Sequence, residues 1–163
     1  MPKLLELNLN GNQLTTLSDL RHMDCLKKLD VGKNKLETLK DFPKLPGLQH
    51  FDASENLIEK DGDKELDNLK DCRNLNTILM AGNPWVDDKG DDFKKEVLIA
   101  LTHLPIKQVN DAEEVTQEDR DDAKAEKAER ERARIEAEEE AKRAAEEAAA
   151  EAAAKEGEEE PAE

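Results

Sequence analysis

Leucine and other large apolar residues recur at regular spacing through the first half of the chain. Four segments share one arrangement, LLELNLNGNQL, LKKLDVGKNKL, LQHFDASENLI and LNTILMAGNPW, and they begin at Leu4, Leu26, Leu48 and Leu75. Their starts lie 22, 22 and 27 residues apart. A repeat of this length indicates a structure that stacks copies of one unit.

Within each segment, apolar positions alternate with polar ones, as in Leu7-x-Leu9 and Leu29-x-Val31. A period of two places the apolar side chains on one side of a short β-strand and their neighbours on the other. The corresponding pairs in the later repeats are Phe51 with Ala53 and Ile78 with Met80. The pattern therefore predicts a parallel sheet with one strand from each of the four repeats.

One asparagine recurs in every repeat at the point where the chain must turn inward. The four residues are Asn12, Asn34, Asn56 and Asn83. A buried amide at this point can bond the backbone of its own rung and of the next rung. We predict a structural asparagine ladder rather than a binding site.

Further apolar residues follow each predicted strand and are expected to fill the core behind the sheet. They are Leu14, Leu17 and Leu20 in the first repeat, and Leu36, Leu39, Phe42 and Leu45 in the second. The third repeat is five residues longer, and its insert EKDGDKELDNLKD is predicted to form a fuller helical turn.

After Pro84 the apolar spacing becomes helical. The apolar positions are Phe93, Val97, Leu98, Leu101 and Leu104, and Pro105 is expected to stop the helix. A helix here would close the last rung, which would otherwise expose apolar surface. We assign residues 84–116 to this cap and residues 1–116 to one domain.

The repeats and the cap resemble leucine-rich repeats of the 22-residue subclass, in which the repeat reads L-x-x-L-x-L-x-x-N-x-L. Residues that match the cap of this subclass are Asn83-Pro84, Phe93-Lys94, Val97, Leu104-Pro105, Ile106, Val109 and Asp111. The chain departs from that pattern by one residue fewer after Pro105 and by an extra Asn110. The resemblance covers about residues 4–120 and implies an α/β solenoid with a concave parallel sheet and a helical or irregular convex side.

Only Met1, Pro2 and Lys3 precede the first predicted strand. One flank of Leu4, Leu7 and Leu9 would then be uncovered, and a sheet edge would be unpaired. Either the chain is N-terminally shortened, or a partner covers this edge.

The exposed strand positions of such a solenoid align in columns on the concave face, which we predict to bind a partner. The columns are Glu6, Lys28, His50 and Thr77; Asn8, Asp30, Asp52 and Leu79; and Asn10, Gly32, Ser54 and Ala81. The second column changes from acidic to apolar towards the cap, and the third is small enough for a partner helix or strand to approach. The alternative is a solvated sheet face. Trp85 is interpreted as a packing residue of the cap rather than an anchor for a partner.

No catalytic or metal-binding motif emerges, so we expect neither an enzyme nor a cofactor. His22, His50 and His103 are scattered, and calcium-loop alignments of the acidic clusters around Gly62 and Gly90 place Leu57 or Trp85 at the first ligand position. Cys25 and Cys72 should lie roughly 10 Å apart, beyond the ~7 Å limit for a disulfide. Free thiols fit an intracellular protein.

The remainder of the chain differs sharply in composition. The formal net charge of the whole chain is −16, and residues 117–163 hold 19 acidic against 9 basic side chains. Alanine, glutamate, lysine and arginine predict a long charged helix over 117–156, followed by a disordered acidic tail at 157–163. Ile135 is the one large apolar residue of this segment, so no heptad seam for an ordinary coiled coil exists. The helix is either free or docked on a partner.

Charge and hydropathy also exclude some partners. The acidic balance disfavours nucleic acid, which is bound through basic patches, and no apolar run is long enough to span a membrane. We therefore expect protein partners.

The cap followed by VTQEDRDDAKAEKAERERARIEAEEE resembles the axonemal leucine-rich-repeat proteins of cilia and flagella, especially the radial spoke member. This resemblance implies a scaffold subunit of a large assembly in the cytoskeleton of a cilium or flagellum. The alternative is a soluble regulatory binder, a leucine-rich-repeat protein directed at a phosphatase or a histone. Nuclear acidic leucine-rich-repeat phosphoproteins match less well, because their tails are nearly pure aspartate and glutamate.

Overall fold

The computed structural model describes residues 3–20, 23–40, 42–59, 62–110 and 114–156. The chain divides into two compact units, Met1–Lys124 and Ala125–Glu163. Sequence predictions about His22, Asp111 and the disordered tail at 157–163 lie outside the described residues.

The first unit contains a parallel sheet of five short strands in chain order. The strands are β1 (Glu6–Asn8), β2 (Lys28–Asp30), β3 (His50–Asp52), β4 (Thr77–Leu79) and β5 (Gln108–Val109). The first four are the predicted strands. The fifth is a correction to the expectation of one strand per repeat, because the segment after the cap helix also pairs with the sheet.

Register places one apolar residue from each strand in a single row behind the sheet. Leu29 lies beside Phe51, Phe51 beside Ile78, and Ile78 beside Val109. All four side chains are buried, whereas Leu7 in β1 is only partly buried. The alternation read from the sequence thus defines the buried side of the sheet.

The helices are α1 (Gly62–Asp67), α2 (Pro84–Lys89), α3 (Asp92–Ala100) and α4 (Gln117–Glu156). The long insert of the third repeat contains α1, as predicted. The helix that was expected to run to Pro105 ends at Ala100, and turns follow it. The backbone of the C-cap residue Leu101, at φ −109° and ψ 33°, lies outside the helical region.

Asn56 shows how one rung is joined to another. Its side-chain amide nitrogen donates to the carbonyl oxygens of Ala53 (3.0 Å) and Ser54 (3.2 Å) in its own rung, and of Val31 (3.1 Å) in the preceding rung. Its oxygen accepts the backbone N–H of Leu36 at 3.0 Å, also in the preceding repeat. One buried side chain therefore satisfies backbone groups of two rungs at once.

Asn34 and Asn83 repeat this pattern and are also buried. Asn34 donates to Leu9 O at 3.0 Å and accepts from Leu14 N at 3.0 Å, and Asn83 donates to Ala53 O at 2.9 Å. The bonds therefore reach back to the preceding rung, not forward to the next one as the sequence interpretation had it.

Asn12 differs from the other three. It is exposed, and its amide bonds only carbonyls of its own rung, Leu9 O at 2.7 Å and Asn10 O at 3.4 Å. No strand precedes β1 among the described residues, and among them Asn12 bonds no rung other than its own. Its placement in a buried ladder is corrected accordingly.

Asn110 ends the sheet at the opposite edge. It adopts a positive φ of 50°, which asparagine tolerates better than most residues. Its side-chain oxygen accepts the backbone N–H of Met80 at 2.6 Å. In earlier rungs the equivalent N–H bonds a carbonyl of the next strand, as Ala53 N bonds Leu79 O at 2.8 Å. Asn110 replaces the carbonyl that a longer strand would supply.

The cap packs through aromatic and apolar contacts. Trp85 in α2 is only 5% exposed, and its ring meets Phe93 of α3 edge to face, with centroids 5.2 Å apart. Trp85 is therefore a packing residue and offers no anchor to a partner.

The beginning of α4 belongs to the first unit, which extends eight residues past the predicted boundary at 116. Thr116 Oγ1 accepts the N–H of Asp119 at 3.1 Å, and Asp119 Oδ2 accepts the N–H of Thr116 at 2.8 Å. This reciprocal cap satisfies backbone donors at the start of the helix. Arg120 donates to the carbonyl of Ile106, and Ala123 is fully buried.

A salt bridge secures the same helical turn. The ammonium of Lys94 in α3 lies 2.7 Å from Asp119 Oδ2. This hydrogen bond, helped by the backbone N–H of Thr116, lowers the pKa of Asp119 to about 2. The carboxylate is therefore ionised at neutral pH, where it pairs with Lys94.

Replacing Asn56 with alanine should lower the free energy of unfolding by about 2–4 kcal/mol, because it strands buried backbone groups in two rungs. Asn12→Ala is the matched control and should cost less than about 1 kcal/mol, because its bonds are local and exposed. Urea denaturation with an unchanged m-value measures both. Equal losses for the two variants would contradict the ladder.

Candidate functional site

The side of the sheet that faces away from the core carries the predicted binding residues. We call it the exposed sheet face. Its first column follows the register Glu6, Lys28, His50, Thr77. Gln108 of β5 extends this column beside Thr77 and was missed by the sequence interpretation. The register thus brings the predicted residues of this column side by side.

The second column is tied into the backbone. Asp30 Oδ1 accepts the N–H of Gly32 at 3.0 Å, and Asp52 Oδ1 accepts the N–H of Ser54 at 2.9 Å. Asn8 makes the same bond to the N–H of Asn10 at 2.9 Å. These side chains stabilise the turn after each strand. Among the described residues, nothing donates to the second carboxylate oxygen of either aspartate.

Leu79 is the last residue of the second column. Its side chain has no oxygen that could accept the backbone N–H two residues later, as Asn8, Asp30 and Asp52 do in the other rungs. It is partly buried. The column therefore changes from two carboxylates to one aliphatic side chain across neighbouring strands.

The third column is only partly open. Asn10 donates through its side-chain nitrogen to Asp30 Oδ1 at 3.1 Å, and in doing so it lies over Gly32. A Cβ at Gly32 would come within 2.7 Å of that nitrogen. The small side chains accessible beyond this contact are Ser54 and Ala81.

His50, at the centre of this face, has a shifted pKa. Burial, followed by the nearby Lys28 ammonium, lowers the pKa of His50 from its ordinary value of 6.5, whereas Asp52 and Asp30 act in the opposite sense. The imidazole is therefore mostly neutral at neutral pH.

In the described part of the chain, no three histidine, cysteine, aspartate or glutamate side chains are placed to hold a metal ion. Cys25 is exposed and Cys72 is buried, both as free thiols, and burial raises the pKa of Cys72 to about 11. That pKa makes Cys72 a poor nucleophile.

Part of the chain is similar to a known protein family. The family model for leucine rich repeats (2 copies) matches residues 2–44, which include β1 and β2. Together with the parallel sheet and its register, this match supports a leucine-rich-repeat protein with an α/β fold. No curated protein matches the chain.

Leucine-rich-repeat domains generally mediate protein–protein interaction, through the surface that their stacked strands create. In this chain the stacked strands form the exposed sheet face. None of the helices in the described ranges is both long and apolar enough to cross a membrane.

The pKa of His50 offers a test of the geometry of this face. Lys28→Met should raise the pKa, because it removes a neighbouring cation, and Asp52→Asn should lower it further, because it removes an anion. Titration of the imidazole by NMR measures both shifts. If neither substitution moved the pKa, the two charges would not lie beside His50.

Proposed function

We propose that this protein is a non-catalytic scaffold that holds a partner protein on the exposed sheet face. The observation that carries the proposal is the row formed by Asp30, Asp52 and Leu79 on adjacent strands. A parallel sheet holds these side chains at fixed spacing, about 4.8 Å from one strand to the next.

The chemistry of the row favours one kind of partner segment. The second oxygens of Asp30 and Asp52 are available to accept hydrogen bonds from a lysine or arginine. Leu79 offers an aliphatic contact one strand further on. Ser54 and Ala81 leave space beside the row for a helix or strand to approach. We infer a partner segment that carries a basic residue followed by an apolar one.

We further propose that the assembly is a large one, such as the radial spoke of the ciliary or flagellar axoneme. The support is the resemblance of the cap and of the acidic and basic helix α4 to axonemal leucine-rich-repeat proteins. Under this proposal the protein resides in the cytoskeleton of the cilium, and α4 provides a second contact surface separate from the sheet.

The role of the aspartates is tested with Asp30→Asn and Asp52→Asn combined. Asparagine keeps the Oδ1 acceptor that stabilises each turn but removes the charge. Partner capture by the full chain from a cell extract, quantified by mass spectrometry, should fall about tenfold or more, because two charge-assisted bonds are weakened, while the melting temperature stays unchanged.

A matched control is Asp67→Asn together with Asp71→Asn, which removes the same charge from exposed positions outside the sheet. Capture by this control should equal that of the unaltered chain. Capture that is unaffected by Asp30→Asn and Asp52→Asn would remove the exposed sheet face from the proposal.

Cell fractionation distinguishes a fixed scaffold from a soluble regulatory binder. A subunit of the axoneme should stay with salt-washed axonemes after detergent removes the membrane and the soluble pool, because it is held by several contacts at once. Immunoblots of the two fractions measure the distribution. Recovery of the protein in the detergent-soluble pool would contradict the axonemal proposal and favour the phosphatase- or histone-directed alternative.

A further inference from the structure

A small cavity lies between the end of α3 and the first turns of α4, within the first unit. Its volume is about 110 Å³, and Leu98, Leu101 and Leu104 provide its apolar lining. Arg120 and Lys124 of α4 line it on the charged side. A cavity of about 150 Å³ holds benzene, so a pocket of about 110 Å³ has room for a group of the size of one isoleucine side chain.

The charged side of this cavity is positive. Arg120 uses one guanidinium nitrogen to bond the carbonyl of Ile106, which fixes the cation beside the apolar lining. Lys124 is 60% exposed, and its closest carboxylate, Asp121, stands 3.8 Å away. The cavity therefore suits an apolar side chain that has carboxylates next to it.

Such a side chain occurs in α4 itself. Ile135 is the one large apolar residue of this helix, and it is 46% exposed. Glu136 follows it directly, and Glu139 follows it by one helical turn, on the same side of the helix. Neither glutamate forms an ion pair within the described part of the chain.

We propose that Ile135 of a second copy occupies this cavity, with Glu136 and Glu139 pairing with Lys124 and Arg120. Each copy carries both the cavity and the isoleucine, and the proposed dimer is closed and two-fold, with two such contacts rather than an open chain of copies. The contact needs no heptad seam, because it depends on one side chain and its neighbouring charges. It concerns a different surface from the exposed sheet face and does not rest on the proposed function.

Sedimentation velocity of the full chain, from about 5 to 500 µM, tests this proposal. A salt concentration of about 0.15 M screens the repulsion between two acidic chains beyond about 8 Å. We expect a reversible monomer–dimer equilibrium. Ile135→Ala, which preserves helix propensity, should weaken association about tenfold or more, as expected for truncation of a central interface residue.

Lys124→Glu should weaken association similarly, and circular dichroism verifies that both variants remain folded. Lys40→Glu makes the same change of charge at an exposed position outside the cavity and should leave association unchanged. Ile135→Met retains an apolar side chain and should preserve the dimer.

Mixing the Ile135→Ala and Lys124→Glu chains examines the pairing directly. Each mixed dimer retains one intact contact, so the mixture should associate more strongly than either variant alone. A chain that remains monomeric over the whole concentration range would overturn the proposal. So would an Ile135→Ala chain that associates as strongly as the unaltered protein.

Discussion

The strands of this protein contribute only two or three residues each, so the regular sheet bonds are few. A buried asparagine amide supplies additional bonds between neighbouring rungs. Asn56 joins backbone groups of its own rung to Val31 and Leu36 of the preceding repeat, and Asn34 and Asn83 do the same in their repeats. Because each amide satisfies several buried backbone groups, the register between rungs depends on it, and the columns of the exposed sheet face depend on that register.

The two edges of the sheet show the same dependence of each rung on bonds to a neighbouring rung. Within the described residues, Asn12 bonds carbonyls of its own rung alone, and it is exposed. Asn110 uses its oxygen to satisfy the N–H of Met80, at the point where the described part of the sheet ends. The cap then continues into α4 through Thr116 and the Lys94–Asp119 salt bridge. This connection also creates the cavity between Leu98, Leu101 and Arg120.

Much of this arrangement follows from local sequence patterns. Alternation places Leu29 and Ile78 in strands, and the repeat spacing aligns Asp30 with Asp52. In contrast, β5 shows no alternation of apolar and polar residues in the sequence. Val109 belongs to a strand because it pairs with Ile78, and this pairing depends on the three-dimensional structure. The second role of Asp30, in stabilising a turn, also depends on three-dimensional geometry. The candidate face could thus be located from the sequence. Which carboxylate oxygen of Asp30 and Asp52 stabilises a turn, and which is available to a partner, could not.

The central claim is that the side-chain amides of the ladder lock each rung to the one before it. Exchange of the side-chain NH₂ protons with solvent, followed by NMR, tests this most directly. Asn34, Asn56 and Asn83 should be strongly protected, because their protons are held by buried carbonyls, and Asn12 should exchange rapidly. Equally rapid exchange at all four asparagines would contradict the account.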